Sequence, residues 1–188
     1  PIGQAFKETL NWILPFTSSG LLTFYLVILN IFPISGTTAI SSTTLSTLVA
    51  VGGIVGSLLA IALAKVYSRR LPVIRISGLC MTLLGALMFY TENGVLSAIA
   101  AFLIGVFMFL PVSSLMMIPQ ELPGMTPAKL TVIMGIFWAL SYIIETIAYF
   151  IIGLIIDYSG YTMGLNLALI MSITFFVGSF LLPETGKK

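Results

Sequence analysis

Apolar residues dominate six long stretches of the chain, and short polar or breaker-rich segments separate them. About 20 mainly apolar residues suffice for a helix to cross a bilayer. The pattern therefore predicts six membrane-spanning helices, over Leu10–Phe32, Thr44–Ala64, Pro72–Tyr90, Val95–Ile118, Leu130–Ile156 and Thr162–Leu182. Runs this long and continuous exclude a transmembrane β-barrel, whose strands are short and alternating. We predict an all-α polytopic membrane bundle that forms a single domain over residues 1–188.

The basic residues predict which way the helices cross. With six spans, every Lys and Arg falls on one side of the membrane: Lys7, Lys65, Arg69, Arg70, Arg75, Lys129, Lys187 and Lys188. The opposite links, residues 33–43, 91–94 and 157–161, contain neither residue type. Because basic loops stay in the cytoplasm, we expect both termini to be cytoplasmic, in an integral protein of the cell membrane.

Composition narrows the classes of function. Of the 188 residues 59% are hydrophobic and only 7% are charged, too few charges for the surface of a soluble domain. The net charge of +2 leaves no basic face for nucleic acid. The chain has no His and one Cys, Cys80, so neither a His-based metal site nor a disulfide within the chain can form. We expect no cofactor, no metal and no pairing of nucleophile and base, and therefore no enzyme.

The start of the chain indicates a longer polypeptide. The first apolar run is too long for the core of a signal peptide, and no small-residue cleavage site follows it. The chain also begins at Pro1 and not at Met. We expect it to be a piece of a larger protein.

The link between the second and third predicted helices resembles a family signature. It reads Leu63-Ala64-Lys65-Val66-Tyr67-Ser68-Arg69-Arg70. This is similar to the loop motif of the major facilitator superfamily, in which Gly precedes Leu-Ala-Asp-Arg and a second Gly precedes paired basic residues. The Leu-Ala pair and the paired arginines match, whereas Ile61, Lys65 and Ser68 stand in place of the first Gly, the Asp and the second Gly. Because the Asp is missing, the resemblance does not extend to the family's charge-relay latch in this loop.

Three further segments resemble the second half of the same family. Gly153–Tyr161 is similar to the link between spans eleven and twelve, Leu182–Gly186 to the segment after span twelve, and Leu122–Pro127 to the link between spans ten and eleven. The resemblance covers the whole chain. It implies spans seven to twelve of a transporter, built as two inverted three-helix repeats at about 10–90 and 95–182. The partner that it implies is an N-terminal six-helix half of the same polypeptide.

Glu145 is the leading candidate for chemistry. It lies near the middle of the fifth helix in a run otherwise free of charge, and a carboxylate at that depth is costly unless it is protonated, paired or hydrated. Helical spacing places it near one polar and aromatic face with Trp138, Ser141, Tyr142 and Tyr149. We predict that Glu145 takes up a proton or meets a cationic group of the substrate. The alternative is a protonated Glu145 that hydrogen-bonds a neighbouring helix.

The first helix offers a second polar face. Asn11, Ser18 and Tyr25 are roughly aligned along it, and Pro15 interrupts the backbone hydrogen bonds between them. Pro in a membrane helix often marks a bend or a cavity lining, and the resemblance makes this helix a cavity helix. The alternative is ordinary, since hydroxyls in such helices commonly bond the carbonyl four residues earlier.

The fourth and second helices carry weaker signals. Phe109 and Ser113 lie on a face of aromatic, small and Met residues that suits an apolar or amphipathic solute or plain packing. Gly52 and Gly56, with further small residues beside them, favour close helix packing over substrate contact.

Together with these features, the resemblance implies a secondary transporter of a small solute that works by alternating access. Proton coupling through Glu145 is one mode that the sequence supports, and uniport and exchange are the alternatives. No basic residue lies at a helix centre, so a neutral, cationic or lipophilic solute is favoured over an anion. The alternative function is a stand-alone six-span protein, acting as a homodimeric carrier or as a membrane partner that does not transport.

Overall fold

The computed structural model describes residues 10–32, 40–66, 69, 71–122 and 124–182. Over these residues the chain is all-helical and contains no strand. The helices are α1 (Leu10–Leu26, continued by a π-helical turn over Val27–Ile31), α2 (Ser42–Val66), α3 (Leu71–Tyr90), α4 (Gly94–Gln120), α5 (Pro127–Ser159) and α6 (Tyr161–Ser179). All six, α1 together with its π turn, are long and apolar enough to cross a bilayer. The chain is therefore an integral membrane protein of the predicted all-α class.

Side-chain caps decide where α4 and α5 begin. The Asn93 side chain accepts hydrogen bonds from two backbone N–H groups of the first turn of α4, at 2.9 and 3.3 Å. The Thr126 hydroxyl accepts one from the backbone N–H of Lys129 at 3.3 Å. Pro127 follows this cap at a position where its missing N–H is not needed. The α5 helix therefore starts at Pro127, ahead of the predicted Leu130.

Gly160 separates α5 from α6. Its φ of 89° lies in the region that side chains with a Cβ rarely adopt, so the chain can reverse there within one residue. The α6 helix then ends at Ser179, before the predicted Leu182. Pro183, which the sequence suggests as its stop, lies outside the described residues.

Helix packing does not follow the order of the chain. The α2 helix packs along α4, and α3 packs along both α4 and α6. The α1 helix packs along α5 and α6, and α5 and α6 also pack on each other. Among the described residues, the consecutive helices α1 and α2 make no comparable contact. Because of this, the surface between α1 and α2 is open.

Glycines bring α2 and α4 together at backbone distance. Gly52 lies against the backbone of Phe102, and Gly56 lies against the backbone of Val106. Gly105 of α4 lies in the same way against the backbone of α2. A Cβ at any of these glycines would meet backbone atoms, which cannot rotate aside as a side chain can. The close packing predicted for Gly52 and Gly56 is confirmed.

The α1 helix has the largest buried share of the six helices that the structure describes. Phe24 of this helix and Phe32, which directly follows its π turn, pack against Phe89 of α3, with ring centroids 6.0 and 4.8 Å apart. On the side toward α6, Thr17 lies against Gly178. Four hydroxyl residues of α1, namely Thr17, Ser18, Ser19 and Thr23, are therefore enclosed by protein.

The basic residues that the structure describes gather at one end of the bundle. They occupy the last turn of α2 (Lys65), the link that follows it (Arg69), the start of α3 (Arg75) and the start of α5 (Lys129). The Arg75 guanidinium lies over the ring of Phe180, 4.5 Å from its centroid, which joins the start of α3 to the end of α6. The assignment of this end to the cytoplasm stays a prediction.

Candidate functional site

Two polar side chains lie on the buried face of α5. Ser141 is fully buried and Glu145 is 7% exposed, and they are about one helical turn apart. The Ser141 hydroxyl has no hydrogen-bond partner. No hydrogen bond or ion pair joins the Glu145 carboxyl to another residue that the structure describes. Since buried polar groups without partners are costly, this pair is the leading candidate for function in α5.

The other members of the predicted α5 face are less buried than Ser141 and Glu145. Trp138 and Tyr142 are exposed and stack on each other, with ring centroids 5.9 Å apart. Tyr149 is half-buried against the core. Four of the five residues therefore form two groups, and Tyr149 is intermediate in burial. Ser141 and Glu145 lie inside the six-helix body, and the exposed aromatic pair lies on its surface.

The α1 face is described only in part. Ser18 is buried at 4% exposure. Tyr25 is half-buried and meets Phe109 of α4 edge to face, with ring centroids 5.8 Å apart. Asn11 lies in α1, but its side chain is outside the described part of the structure. The structure thus brings together two of the predicted residues from different helices, Tyr25 and Phe109.

Three buried hydroxyls of α1 bond their own helix. Thr17 donates to the carbonyl of Ile13 at 2.9 Å, and Thr23 donates to the carbonyl of Ser19 at 2.7 Å. Ser19 itself donates to the carbonyl of Phe16 at 2.7 Å. The ordinary role of hydroxyls in membrane helices therefore holds for these residues, none of which was a sequence candidate.

A groove of about 670 Å³ opens between α1 and α2, and Phe109 of α4 contributes to its lining. We refer to it as the α1–α2 groove. Its polar lining groups are Tyr25, Asn30, Ser46 and Ser57, and the remaining lining residues are apolar or Gly. The volume is that of a site for a small organic molecule. Within the described part of the chain, no charged side chain belongs to this lining.

The π-helical turn of α1 supplies part of the groove. The turn spans Val27–Ile31 and contributes Leu29 and Asn30 to the lining. Single π turns inside α-helices are rare and occur frequently at functional sites. Sequence reasoning missed Asn30 as a groove residue because apolar periodicity carries no signal for an extra residue in one turn.

Small residues of α2 divide between packing and the groove. Gly53 lies one step around the helix from Gly52 and leaves room for the ring of Phe109. Ser57 and Gly53 line the groove, whereas Gly52 and Gly56 contact α4. Ser113, the other α4 candidate, is exposed and does not belong to the groove lining.

The loop-motif residues lie at the basic end, away from the groove. Lys65 is exposed in the last turn of α2, and Arg69 is exposed in the link. Arg70 lies outside the described residues. Over the described part of the chain, no three Cys, Asp or Glu side chains come together as metal ligands.

Two features could therefore take part in chemistry inside the membrane. The Ser141–Glu145 pair can exchange a proton or meet a cation, because no described residue forms a hydrogen bond or ion pair with its carboxyl. The groove can hold a neutral molecule of moderate size. No protein-family model matches the chain, and no curated protein matches it, so a proposal of function rests on these two features and on the sequence pattern.

Proposed function

We propose that this chain is the C-terminal six-helix half of a major facilitator superfamily transporter. It carries a small solute across the cell membrane by alternating access, with both ends of the chain in the cytoplasm. Its partner is an N-terminal six-helix half of the same polypeptide. Glu145 couples the movement of the solute to that of a proton.

The observation that carries this proposal is the pattern of helix neighbours. Exchanging α1 with α4, α2 with α5 and α3 with α6 converts the α2–α4 contact into the α5–α1 contact. The same exchange converts the α3–α4 contact into the α6–α1 contact and leaves the α3–α6 contact unchanged. Such a pattern supports two related three-helix repeats, the architecture of many secondary transporters. The α5–α6 contact departs from it, since α2 and α3 have no equally extensive one among the described residues.

Glu145 supports the coupling role. A carboxyl that is enclosed in a membrane protein without a hydrogen-bond or ionic partner changes its free energy strongly with protonation and with hydration. A rocking motion that opened the face of α5 to water would change both. Proton uptake at Glu145 would then depend on the conformation of the transporter, which is what coupling requires.

The exposed surfaces of α2 and α5 support a partner half. These helices have the lowest buried shares among the helices that the structure describes. On α5 the exposed aromatic pair Trp138 and Tyr142 lies on one side, and exposed aliphatic residues such as Ile143 and Ile147 lie on the other. Lipid provides a uniform apolar solvent, so two chemically distinct exposed sides favour contact with something besides lipid on one of them.

The first experiment is the mass of the native polypeptide that contains this segment, measured by immunoblot of its source membrane. A chain of about twice this length agrees with a twelve-span transporter of two halves. A native chain of this length alone would contradict the missing half, and would favour the stand-alone carrier or partner protein instead.

The second experiment tests transport without assuming the substrate. The native polypeptide is reconstituted into liposomes, supplied with a metabolite extract of its source cells and an imposed proton gradient, and the accumulated solutes are identified by mass spectrometry. We expect at least one solute to accumulate above the level in empty liposomes. Glu145→Gln keeps the shape of the side chain and removes its titration, so it should lose gradient-driven accumulation and retain exchange of the same solute.

Two results would contradict these expectations separately. If no solute accumulates above empty liposomes, the transport proposal is wrong. If Glu145→Gln accumulates the solute at an unchanged rate and with an unchanged dependence on the gradient, coupling through Glu145 is wrong and transport stands.

A further inference from the structure

The lining of the α1–α2 groove indicates the charge of the ligand that the groove can bind. Its four polar side chains are a phenol, an amide and two hydroxyls, each of which can both donate and accept hydrogen bonds. Among the residues that the structure describes, none that lines the groove is charged. A charged ligand would leave most of its hydration without gaining an opposite charge, a loss that neutral dipoles do not recover. The groove therefore disfavours both anions and cations.

The groove also has an apolar side of defined shape. The rings of Tyr25 and Phe109 meet edge to face, so they do not stack, and both rings line the groove. Aliphatic side chains of both helices, among them Leu29 and Ile54, continue this surface. Aromatic rings and aliphatic side chains favour a flat apolar group of about the size of one ring.

The π turn places a polar group where a regular helix would not. Asn30 belongs to a turn with one residue more than an α-helical turn. Its amide reaches the same groove as Ser46 and Ser57, which lie on the other wall. A ligand in the groove thus meets hydrogen-bonding groups from two sides and the apolar surface between them.

We propose that the α1–α2 groove binds an uncharged amphipathic solute, with hydroxyl or amide groups on one side and a ring-sized apolar face on the other. This inference rests on the proposed transport function, because it assumes that the groove belongs to a water-filled pathway and not to the lipid surface. The sequence leaves neutral, cationic and lipophilic solutes as candidates. Of these three classes, this inference selects neutral solutes that form hydrogen bonds.

Cysteine labelling in the native polypeptide tests first whether the groove is in contact with water and then which class of solute it binds. In a background with Cys80→Ser, and with any cysteine outside these residues likewise replaced, Ser57→Cys places a thiol in the groove lining. Leu79→Cys is the matched control, because Leu79 is exposed on α3 at a similar depth in the bundle. At 1.5 Å per residue, Leu79 lies about 12 Å and Ser57 about 14 Å from the basic end of its helix. A membrane-impermeant sulfonated maleimide is applied to open membrane fragments. We expect it to label Ser57→Cys and to leave Leu79→Cys, which faces lipid, unlabelled.

Protection by paired probes then tests the class of solute. The first pair is phenyl β-D-glucoside and its anionic analogue phenyl β-D-glucuronide. The second is 2-phenylethanol and the cation 2-phenylethylamine. A probe at ten times its Kd leaves about one site in eleven empty and slows labelling of Ser57→Cys about tenfold. We expect a neutral member to protect at a concentration at which its charged partner slows labelling less than twofold.

The outcomes are distinguishable. If Ser57→Cys resists labelling as Leu79→Cys does, the groove faces lipid, and the proposed pathway fails together with this inference. If Ser57→Cys is labelled but a charged probe protects as well as its neutral partner, or no neutral probe protects, only the inferred solute class is overturned. If a neutral probe protects selectively, Asn30→Leu should lower the affinity for that probe by about fivefold, the effect of one neutral hydrogen bond. Unchanged protection in Asn30→Leu would overturn the role of the π turn in binding.

Discussion

The α2–α4 and α1–α5 contacts correspond to each other in the proposed pair of three-helix repeats, yet they differ in chemistry. Glycines close the first contact at backbone distance, with Gly56 against Val106. The buried face of α5, which packs on α1 and α6, carries Ser141 and Glu145, and neither side chain has a hydrogen-bond partner among the described residues. Inside a membrane, close packing stabilises helix contacts, whereas enclosed polar groups without partners destabilise them. The difference indicates that the first contact serves the scaffold and that the second retains polar groups for another purpose.

The largest expected change in stability comes from a substitution that breaks the glycine contact between α2 and α4. In Gly56→Ala the new methyl group meets the backbone of Val106. Overpacking of this kind costs about 1–3 kcal/mol, and here the clashing atom cannot rotate away. We expect a net loss of about 2 kcal/mol in the free energy of unfolding, measured by thermal or denaturant unfolding in detergent.

A glycine of α5 provides the matched control. At Gly153 a methyl group would meet nothing within 4 Å, so Gly153→Ala should gain up to about 1 kcal/mol from helix propensity. If Gly56→Ala is as stable as Gly153→Ala, the backbone contact between α2 and α4 is not what holds those helices together.

A smaller effect of opposite sign is expected on the buried face of α5. Glu145→Met replaces a carboxyl that has no partner among the described residues by an apolar side chain of similar length, so it should raise the free energy of unfolding by about 1 kcal/mol. Ser141→Ala should be neutral or slightly stabilising for the same reason, since its hydroxyl is orphaned. The same unfolding experiment measures both. A clear destabilisation of Glu145→Met would identify Glu145 as a structural hydrogen-bonding residue and would remove the contrast between the two contacts.

The smallest expected change in stability comes from removing an interhelical hydrogen bond, and it measures how much such a bond stabilises this bundle. Thr82 of α3 and Ser172 of α6 share an interhelical hydrogen bond of 2.9 Å. Hydrogen bonds between membrane helices contribute about 0.6 kcal/mol on average, so Thr82→Val should lose about that much. A double-mutant cycle with Ser172→Ala isolates the pairwise part. A coupling free energy above about 2 kcal/mol would mean that polar contacts rival glycine packing here.

The helices themselves were largely predictable. Apolar run length is a local property, so the six predicted spans agree with the observed helices within a few residues at most ends. The caps at Asn93 and Thr126 extend α4 and α5 beyond the apolar runs, since capping depends on side-chain oxygens and not on hydropathy. The π turn of α1 was not predictable in the same way, because one additional residue in a turn leaves the apolar content unchanged.

The candidate site was predictable only residue by residue. Glu145 stood out because it is the one charge in its run, and Gly52 and Gly56 stood out by their spacing. The polar and aromatic face of α5 did not stay together, since its five positions cover about 100° of the helix circumference at 3.6 residues per turn. The neighbouring helices cover only part of that arc. Ser141 and Glu145 fall inside the covered part, and Trp138 and Tyr142 fall outside it.

By itself, the sequence determined that this protein lies in a membrane and crosses it with six helices. Transfer of a helix from water to lipid depends on the composition of that helix alone, and each span carries its own sufficient signal. Only the tertiary structure decided that α2 packs on α4, that α1 and α2 leave a groove between them, and which side of α5 is enclosed. Lipid is as apolar as the helices, so hydrophobicity does not select helix partners within it. Which helices pack together depends instead on small residues such as Gly52 and Gly105. These residues stabilise a contact only when a complementary surface of another helix lies against them.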